Sequence, residues 1–412
     1  MESVETSRFM AVNLEPARPA RNFALALGGP VPSGDKRRET PTACTIREIQ
    51  TMKAAVLREV KTPLQIEEVS ISKPGPHEVL IRTAAAGVCH SDLHFIEGSY
   101  PTVLPAVLGH ESAGVVEQVG SEVRTVKVGD HVITCLSAFC GHCEFCLTGH
   151  MSLCVSPETK RNPEDAPRLS QPTGPMQQYL NLSSFAEMML IHEHACTPIR
   201  KDMPLDRAAL IGCGVLTGVC SVFHTAKVRP GETVAVIGCG GVGLAAINGA
   251  AIAGASRIIA VDVGPGKDNL AREFGATDFV DASSGDAVKM VLEMTKGGVD
   301  HSFEAVGLSK TAEQAFGMVK RGGDANIIGM IPIGQTITVP GYMFLGEKKL
   351  QGSLMGSNHF PVDMPRLVDM YLAGKLKLDE MVSRRIKLEE VNDAFAEMKT
   401  GQIARSVIVF DA

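Results

Sequence analysis

The chain has 412 residues, with 40 Lys and Arg against 46 Asp and Glu and a net charge of −6. That acidic balance, with no basic stripe, argues against a nucleic-acid partner, because phosphate binding needs a positively charged face. The length exceeds one ordinary core and predicts two or three domains, and 44% hydrophobic with 21% charged residues is the composition of a soluble globular protein.

Residues 1–51 mix Pro, Gly, Arg and Ser without periodicity. They read as a disordered extension, or as sequence ahead of a true start at Met52. Their arginines suit a targeting segment, which Glu2, Glu5 and Glu15 oppose, and no short apolar core precedes a small-residue cleavage site. The expectation is a cytoplasmic protein. From 52 to 214, short Val/Ile runs alternate with Gly and Pro turns, as in Glu78–Arg82 and Ala113–Val119, which predicts a β-rich domain. From 215 to 355, strand and helix patterns alternate: an apolar strand at Val234–Ile237, a small-residue helix at Gly243–Gly254, and a strand at Ile258–Val261. That rhythm predicts an α/β domain with a Rossmann-type, doubly wound parallel sheet. Residues 356–412 carry one helical pattern near 388–399 and a final strand at Ser406–Phe410, and are expected to return to the first domain. Glycines interrupt the longest apolar stretch, Val234–Val263, so it does not predict a membrane span.

Gly238-Cys239-Gly240-Gly241-Val242-Gly243 fits G-x-G-x-x-G. The pattern follows a predicted strand and opens a predicted helix, and Asp262 ends the next strand about 20 residues on, which is the context a dinucleotide site needs. Gly238 permits the turn, Gly240 lets backbone approach a pyrophosphate, and Gly243 lets helix and strand pack closely. The helix N-terminus, with Gly241 and Val242, offers unpaired N–H groups to the phosphates. Asp262 would accept the adenosine ribose hydroxyls and repel a 2′-phosphate, which favours NAD over NADP; Lys267 is a candidate at the ribose edge.

Cys140, Cys143, Cys146 and Cys154 fall within 15 residues. In a chain without an export signal this reads as metal binding rather than disulfides. Four sulfurs leave no open position, so the reading is structural zinc; an iron–sulfur cluster is the competing metal, and the spacing matches neither common ferredoxin pattern. His142 and His150 read as loop residues.

Cys89 in Gly87-Val88-Cys89-His90-Ser91-Asp92, His110 in Gly109-His110-Glu111, and Cys213 in Gly212-Cys213-Gly214 share no spacing rule. Together with the cysteine cluster and the glycine fingerprint, in that order, they make residues 52–412 resemble the zinc-containing medium-chain alcohol dehydrogenases. The resemblance implies a GroES-like catalytic domain and a second, catalytic zinc on Cys89, His110 and Cys213. Asp92 would stand behind His110, and Glu111 near the metal; a plain salt bridge is the other reading of either carboxylate. Hydride would pass from an alcohol to NAD, with Ser91 accepting the alcohol proton and His94 releasing it. His90 and Arg405 match phosphate-facing positions, although the family commonly has arginine where this chain has His90. Thr217 and Val242 match positions beside the nicotinamide. Leu136, Leu354 and Met355 are candidate lining of an apolar substrate pocket, and Gly352–Gly356 reads as a mobile loop. A homodimer or homotetramer built on the cofactor domain is implied. Two other readings stay open: the glutathione-dependent formaldehyde dehydrogenase branch, which tends to lack a histidine at the position of His94, and a non-catalytic zinc- and nucleotide-binding protein.

Overall fold

The computed structural model describes residues 50–411, apart from 163, 265, 402 and 403. The expected extension lies outside the described residues up to position 49. Gln50 and Thr51, assigned to that extension, instead begin strand β1 (Gln50–Leu57), opposite Ile71 and Ser70.

Two antiparallel-rich sheets form the first part of the chain. Strands β1, β2 (Gln65–Ile71), β3 (Glu78–Gly87), β4 (Ala106–Val107), β5 (Ser112–Val119), β6 (His131–Thr134), β7 (Leu169–Gln171), β8 (Gly174–Gln178), β9 (Met188–His192) and β10 (Cys196–Ile199) follow in order. A closed barrel runs β1-β2-β7-β8-β4, and closure removes exposed edges. The second sheet runs β10-β6-β5-β3, with β9 also pairing β3. β3 is buried along most of its length, as expected for a strand packed on both faces.

The third sheet is parallel throughout. Its strands are β11 (Thr233–Ile237), β12 (Arg257–Asp262), β13 (Asp278–Asp281), β14 (Val299–Glu304), β15 (Val319–Ile327) and β16 (Lys349–Gly352), in the order β13-β12-β11-β14-β15-β16. Strand order reverses between β11 and β14, and the crevice at the carboxyl ends of those strands is where such sheets take ligands. The fingerprint follows β11 directly. Gly238 has φ +96°, in the left-handed region, and a Cβ on Gly243 would lie 1.7 Å from the Gly238 carbonyl oxygen. The helix Gly241–Ala253 can approach its strand only because position 243 has no side chain.

The helix Leu205–Ala226 has a mean hydropathy of 1.6 in its most apolar window and is long enough to cross a membrane. It is apolar because it is a core helix: Leu210, Ile211, Val215, Leu216, Val219 and Val222 are all fully buried. Its Ile211–Val215 and Ser221–Ala226 stretches are π-helical. The sequence pattern did not predict the helix Phe360–Leu372. Pro361 and Pro365 break its text, but Pro361 sits where no helical N–H bond is required, and Phe360, Met364, Leu367 and Val368 bury one face. Strands β17 (Val382–Ile386) and β18 (Arg405–Val409) then extend the second sheet, with Ile408 of β18 opposite Ala86 of β3.

Gly352–Gly356 is tied down. Ser353 Oγ lies 2.8 Å from both Ser221 Oγ and Thr225 Oγ1, and Ser353 and Met355 are buried. The expectation of a mobile loop there is corrected: glycine serves close contact, since a Cβ on Gly356 would meet Cys220 Cβ at 2.7 Å.

Gly243→Ala should unfold the dinucleotide turn or shift its helix. The expected result is a loss of at least about 1–3 kcal/mol of stability, read as a lowered urea midpoint, because overpacking meets rigid backbone. An unchanged midpoint would show that the turn relaxes freely.

Candidate active site

Three separate segments bring Cys89, His110 and Cys213 together. Cys89 ends the β3 segment and caps the helix His90–Ile96, His110 lies between β4 and β5, and Cys213 sits in the first π-helical stretch of the core helix. All three are buried, and their ligand atoms lie within 4.8 Å of one another. Asp92 is fully buried and holds His110 in place: its Oδ1 is 3.1 Å from His110 Nδ1 and accepts the Gly109 N–H at 3.1 Å. That leaves His110 Nε2, which has no hydrogen-bond partner and faces no water. A buried imidazole nitrogen without a partner, beside two thiols, is costly unless something binds it. Two thiolates and an imidazole fit zinc with one position open.

The electrostatics agree with that donor set. The hydrogen bond from Cys213 first, then Arg405 and His110, hold the Cys89 thiol well below its ordinary value, whereas Cys213 moves up. Burial works against a charged His110, but Asp92 and Cys89 outweigh it and its pKa stands well above the usual imidazole range. Burial pushes Glu111 up to about 7, against the pull of Arg405.

Arg405 opens β18 and joins two sites that the sequence named separately. Its Nε is 3.6 Å from Glu111 Oε1, and neither atom has a hydrogen-bond partner. A Cβ on Gly214 would lie 2.5 Å from Arg405 Nη2, and one on Gly241 would lie 2.6 Å from its Nε. The guanidinium therefore threads between the residue after Cys213 and the fingerprint helix. Glu111 Oε2 also accepts the Gly214 N–H at 3.2 Å.

At the fingerprint, no atom lies within 4 Å of where a Gly240 Cβ would stand, so backbone there is open to approach, as a pyrophosphate requires. Asp262 ends β12; its Oδ2 accepts the Cys239 N–H at 2.5 Å and its Oδ1 the Val263 N–H at 2.6 Å. Lys267 opens the next helix, and His90 is exposed. Thr217 is buried on the core helix, with its Oγ1 3.4 Å from Met355 Sδ. Val242 lies in the first turn of the fingerprint helix, against the core helix at Gly218. Ser91 Oγ is 3.7 Å from Cys89 Sγ, and His94 follows one turn along the same helix. Met355 is buried, Leu136 partly buried and Leu354 half-exposed. Tyr179 escaped the sequence reading: its ring packs edge-on against His110 at 5.8 Å, and nothing in the local sequence links positions so far apart.

The four cysteines form a separate centre. Four of their six sulfur–sulfur separations are 3.5, 3.8, 3.8 and 4.0 Å. A zinc tetrahedron with about 2.3 Å bonds has edges of about 3.8 Å, whereas a disulfide would bring sulfurs to about 2 Å. Backbone N–H groups, that of His142 first, lower the Cys140 thiol to about 6. Phe145, Leu147, Leu153 and Val155 are exposed, so this lobe has no apolar core of its own and metal ligation is what can hold it. His142 Nε2 bonds Glu158 Oε2 at 2.6 Å; His142, Glu158 and Cys140 also converge.

Fold and donor sets together define an oxidoreductase that works with zinc and a nicotinamide cofactor. Residues 75–201 match the alcohol dehydrogenase GroES-like domain and residues 241–372 the zinc-binding dehydrogenase domain. An S-(hydroxymethyl)glutathione dehydrogenase of Synechocystis is 38% identical over 364 residues, covering 86% of this chain and 99% of the relative. The crystal structure of benzyl alcohol dehydrogenase from Acinetobacter calcoaceticus superposes with a TM-score of 0.83 at 30% identity, over 88% of this chain and all of that one. A zinc-binding dehydrogenase of Sinorhizobium meliloti bound to NADP gives 0.74 at 28% identity, over 88% and 100%. The chain belongs to the zinc-containing medium-chain alcohol dehydrogenase family.

Cys146→Ser should remove one zinc per chain by elemental analysis and lower the melting temperature. Unchanged zinc content would show that the four cysteines hold none.

Proposed function

We propose that the protein oxidises an alcohol reversibly to an aldehyde or ketone by hydride transfer to NAD. The observation that carries this is the buried Cys89/His110/Cys213 trio with a partnerless His110 Nε2, separated from the dinucleotide fingerprint by one side chain, Arg405. Cys89, His110 and Cys213 would hold a catalytic zinc with Glu111 behind them, and Cys140, Cys143, Cys146 and Cys154 a structural one. When bound, zinc supplies a Lewis acid and NAD a hydride acceptor, chemistry that side chains lack.

The chain's own groups do the rest. Asp92 fixes the His110 tautomer, so that Nε2 presents a lone pair. Ser91 Oγ accepts the alcohol proton, and His94 passes it towards solvent. Burial lowers the His94 pKa below the ordinary imidazole value, so the ring is neutral at pH 7 and able to take a proton. Arg405 opposes the charge of the pyrophosphate, His90 offers it a ring N–H as a neutral imidazole, its pKa lying below the ordinary value, and Thr217 and Val242 flank the nicotinamide. Asp262, with Lys267 at the edge, takes the ribose hydroxyls; its carboxylate repels the 2′-phosphate of the NADP that the Sinorhizobium neighbour holds.

A simple or aromatic alcohol is favoured as substrate, because Leu136, Leu354 and Met355 offer no cation for a glutathione carboxylate. S-(hydroxymethyl)glutathione is the second reading, favoured by the name of the Synechocystis relative and opposed by His94. Residues 50–214 and 356–412 are assigned to the catalytic domain and 215–355 to the cofactor domain. The outer edge of β16, preceded by exposed Tyr342, Phe344 and Leu345, supports pairing with a second copy through the cofactor domain. A cytoplasmic location fits the free thiols of both metal sets.

Ser91→Ala should lower kcat by roughly 10²–10⁴-fold, the scale of assisted proton transfer, and a loss under threefold would exclude Ser91 as the acceptor. In the pH profile of kcat, the acid limb should fall below the ordinary imidazole value of about 6.5, because a lowered pKa keeps His94 neutral further into acid. His94→Ala should abolish that limb; an identical limb in the variant assigns it elsewhere. Asp262→Ala should narrow the preference for NAD over NADP, and an unchanged ratio would remove Asp262 from the ribose site. Benzyl alcohol turned over with NAD far faster than S-(hydroxymethyl)glutathione is the expected substrate pattern, and the reverse order would favour the second reading.

A further inference from the structure

A second set of mixed ligands lies along the same core helix. Cys220 and His224 are four residues apart, so one face of a helix presents both. Asp363 comes from the first turn of the helix Phe360–Leu372 and points at them. Cys220 Sγ is 3.7 Å from Asp363 Oδ2, and His224 Nε2 is 3.0 Å from the same oxygen. All three ligand atoms lie within 4.8 Å of one another. Cys220 and Asp363 are buried, and the His224 side chain is 28% exposed, so the cluster has one solvent-facing side.

The distances suit a bound metal as well as a hydrogen-bond network. Zinc bonds of about 2.3 Å to sulfur and about 2.0 Å to nitrogen and oxygen give tetrahedral edges of about 3.5 Å for S–O and about 3.3 Å for N–O. The observed S–O distance of 3.7 Å and N–O distance of 3.0 Å each lie within about 0.3 Å of the corresponding edge. In the absence of metal, Asp363 Oδ2 accepts hydrogen bonds from the imidazole and from the thiol, the latter the longer at 3.7 Å. A cysteine sulfur beside an imidazole selects a zinc-like metal, whose binding would displace the thiol proton, over calcium or magnesium, which take oxygen ligands. The His359 N–H donates to the same Asp363 oxygen, Oδ2, at 2.6 Å and fixes the carboxylate's direction.

We propose that Cys220, His224 and Asp363 form a third zinc site that staples the core helix to the helix Phe360–Leu372. The core helix carries Cys213 and Thr217 on preceding turns, so the staple fixes the element that serves the catalytic trio. His359 Nε2 also bonds the Gly149 carbonyl at 2.7 Å, which ties the same corner to the four-cysteine lobe. Three protein ligands and a solvent-facing side leave the fourth position to water, which makes this ion the most exchangeable of the three.

The test uses the full chain. Wild type, Cys220→Ala and His224→Asn are equilibrated with excess zinc, separated from unbound ion by gel filtration, and analysed for zinc per chain. Wild type is expected to exceed each variant by one zinc, a difference that does not depend on how the other two sites are filled. Loss of that zinc in only one variant, or in neither, overturns the proposal. Should either variant fail to fold, the zinc-loaded wild type is dialysed briefly and titrated with cobalt(II). A near-ultraviolet thiolate-to-cobalt charge-transfer band that saturates at one equivalent, while both tighter zincs stay bound, is expected. No such band overturns the proposal.

Discussion

Arg405 sets the geometry on which the rest depends. Its guanidinium is 4% exposed and lies between Gly214, next to Cys213, and Gly241, at the start of the fingerprint helix. Glu111 faces it at 3.6 Å, too far for a hydrogen bond, and both atoms lack other partners. A buried ion pair with such geometry is weak support for stability. Arg405 Nη1 donates to the Val88 carbonyl at 3.4 Å, but its Nε stays unpartnered beside a helix N-terminus with an open backbone cradle, an arrangement suited to an anion. Burying it brings β18, which follows the parallel sheet in the sequence, back to β3, so Arg405 completes a site that Cys89 begins.

Around that centre, each metal set answers a local packing problem. The trio is deep in the fold, where an unbound imidazole nitrogen is expensive, and Asp92 orients it. The four cysteines lie at the surface in a lobe whose apolar residues are exposed, so ligation replaces a core. The difference in burial fits the roles proposed for them: a closed set for shape, a three-ligand set beside the cofactor crevice for chemistry.

Much of this was legible in the sequence, for definable reasons. The fingerprint and the cysteine lobe are local, so spacing reveals them, and Gly238, Gly243 and Asp262 lie where their spacing demanded. β11, β12 and the final strand came from apolar runs. The trio is non-local, and only resemblance could join Cys89, His110 and Cys213 before the fold did. The helix Phe360–Leu372 was hidden by two prolines, one at a position where helices tolerate it. Glycine usually signals freedom, which predicts a mobile Gly352–Gly356 segment, whereas here it permits contact with Cys220. Tyr179 against His110, and Asp363 against Cys220 and His224, depend on tertiary approach that no window of sequence contains.

The most direct test of the central claim concerns Cys89. Metal-depleted wild type should regain NAD-linked alcohol oxidation when zinc is restored. Cys89→Ser, with an unchanged circular dichroism spectrum and the four-cysteine zinc retained, should bind NAD yet oxidise no alcohol and hold one zinc fewer. Wild-type turnover by Cys89→Ser, at undiminished zinc content, would contradict the assignment of the buried trio as the catalytic centre.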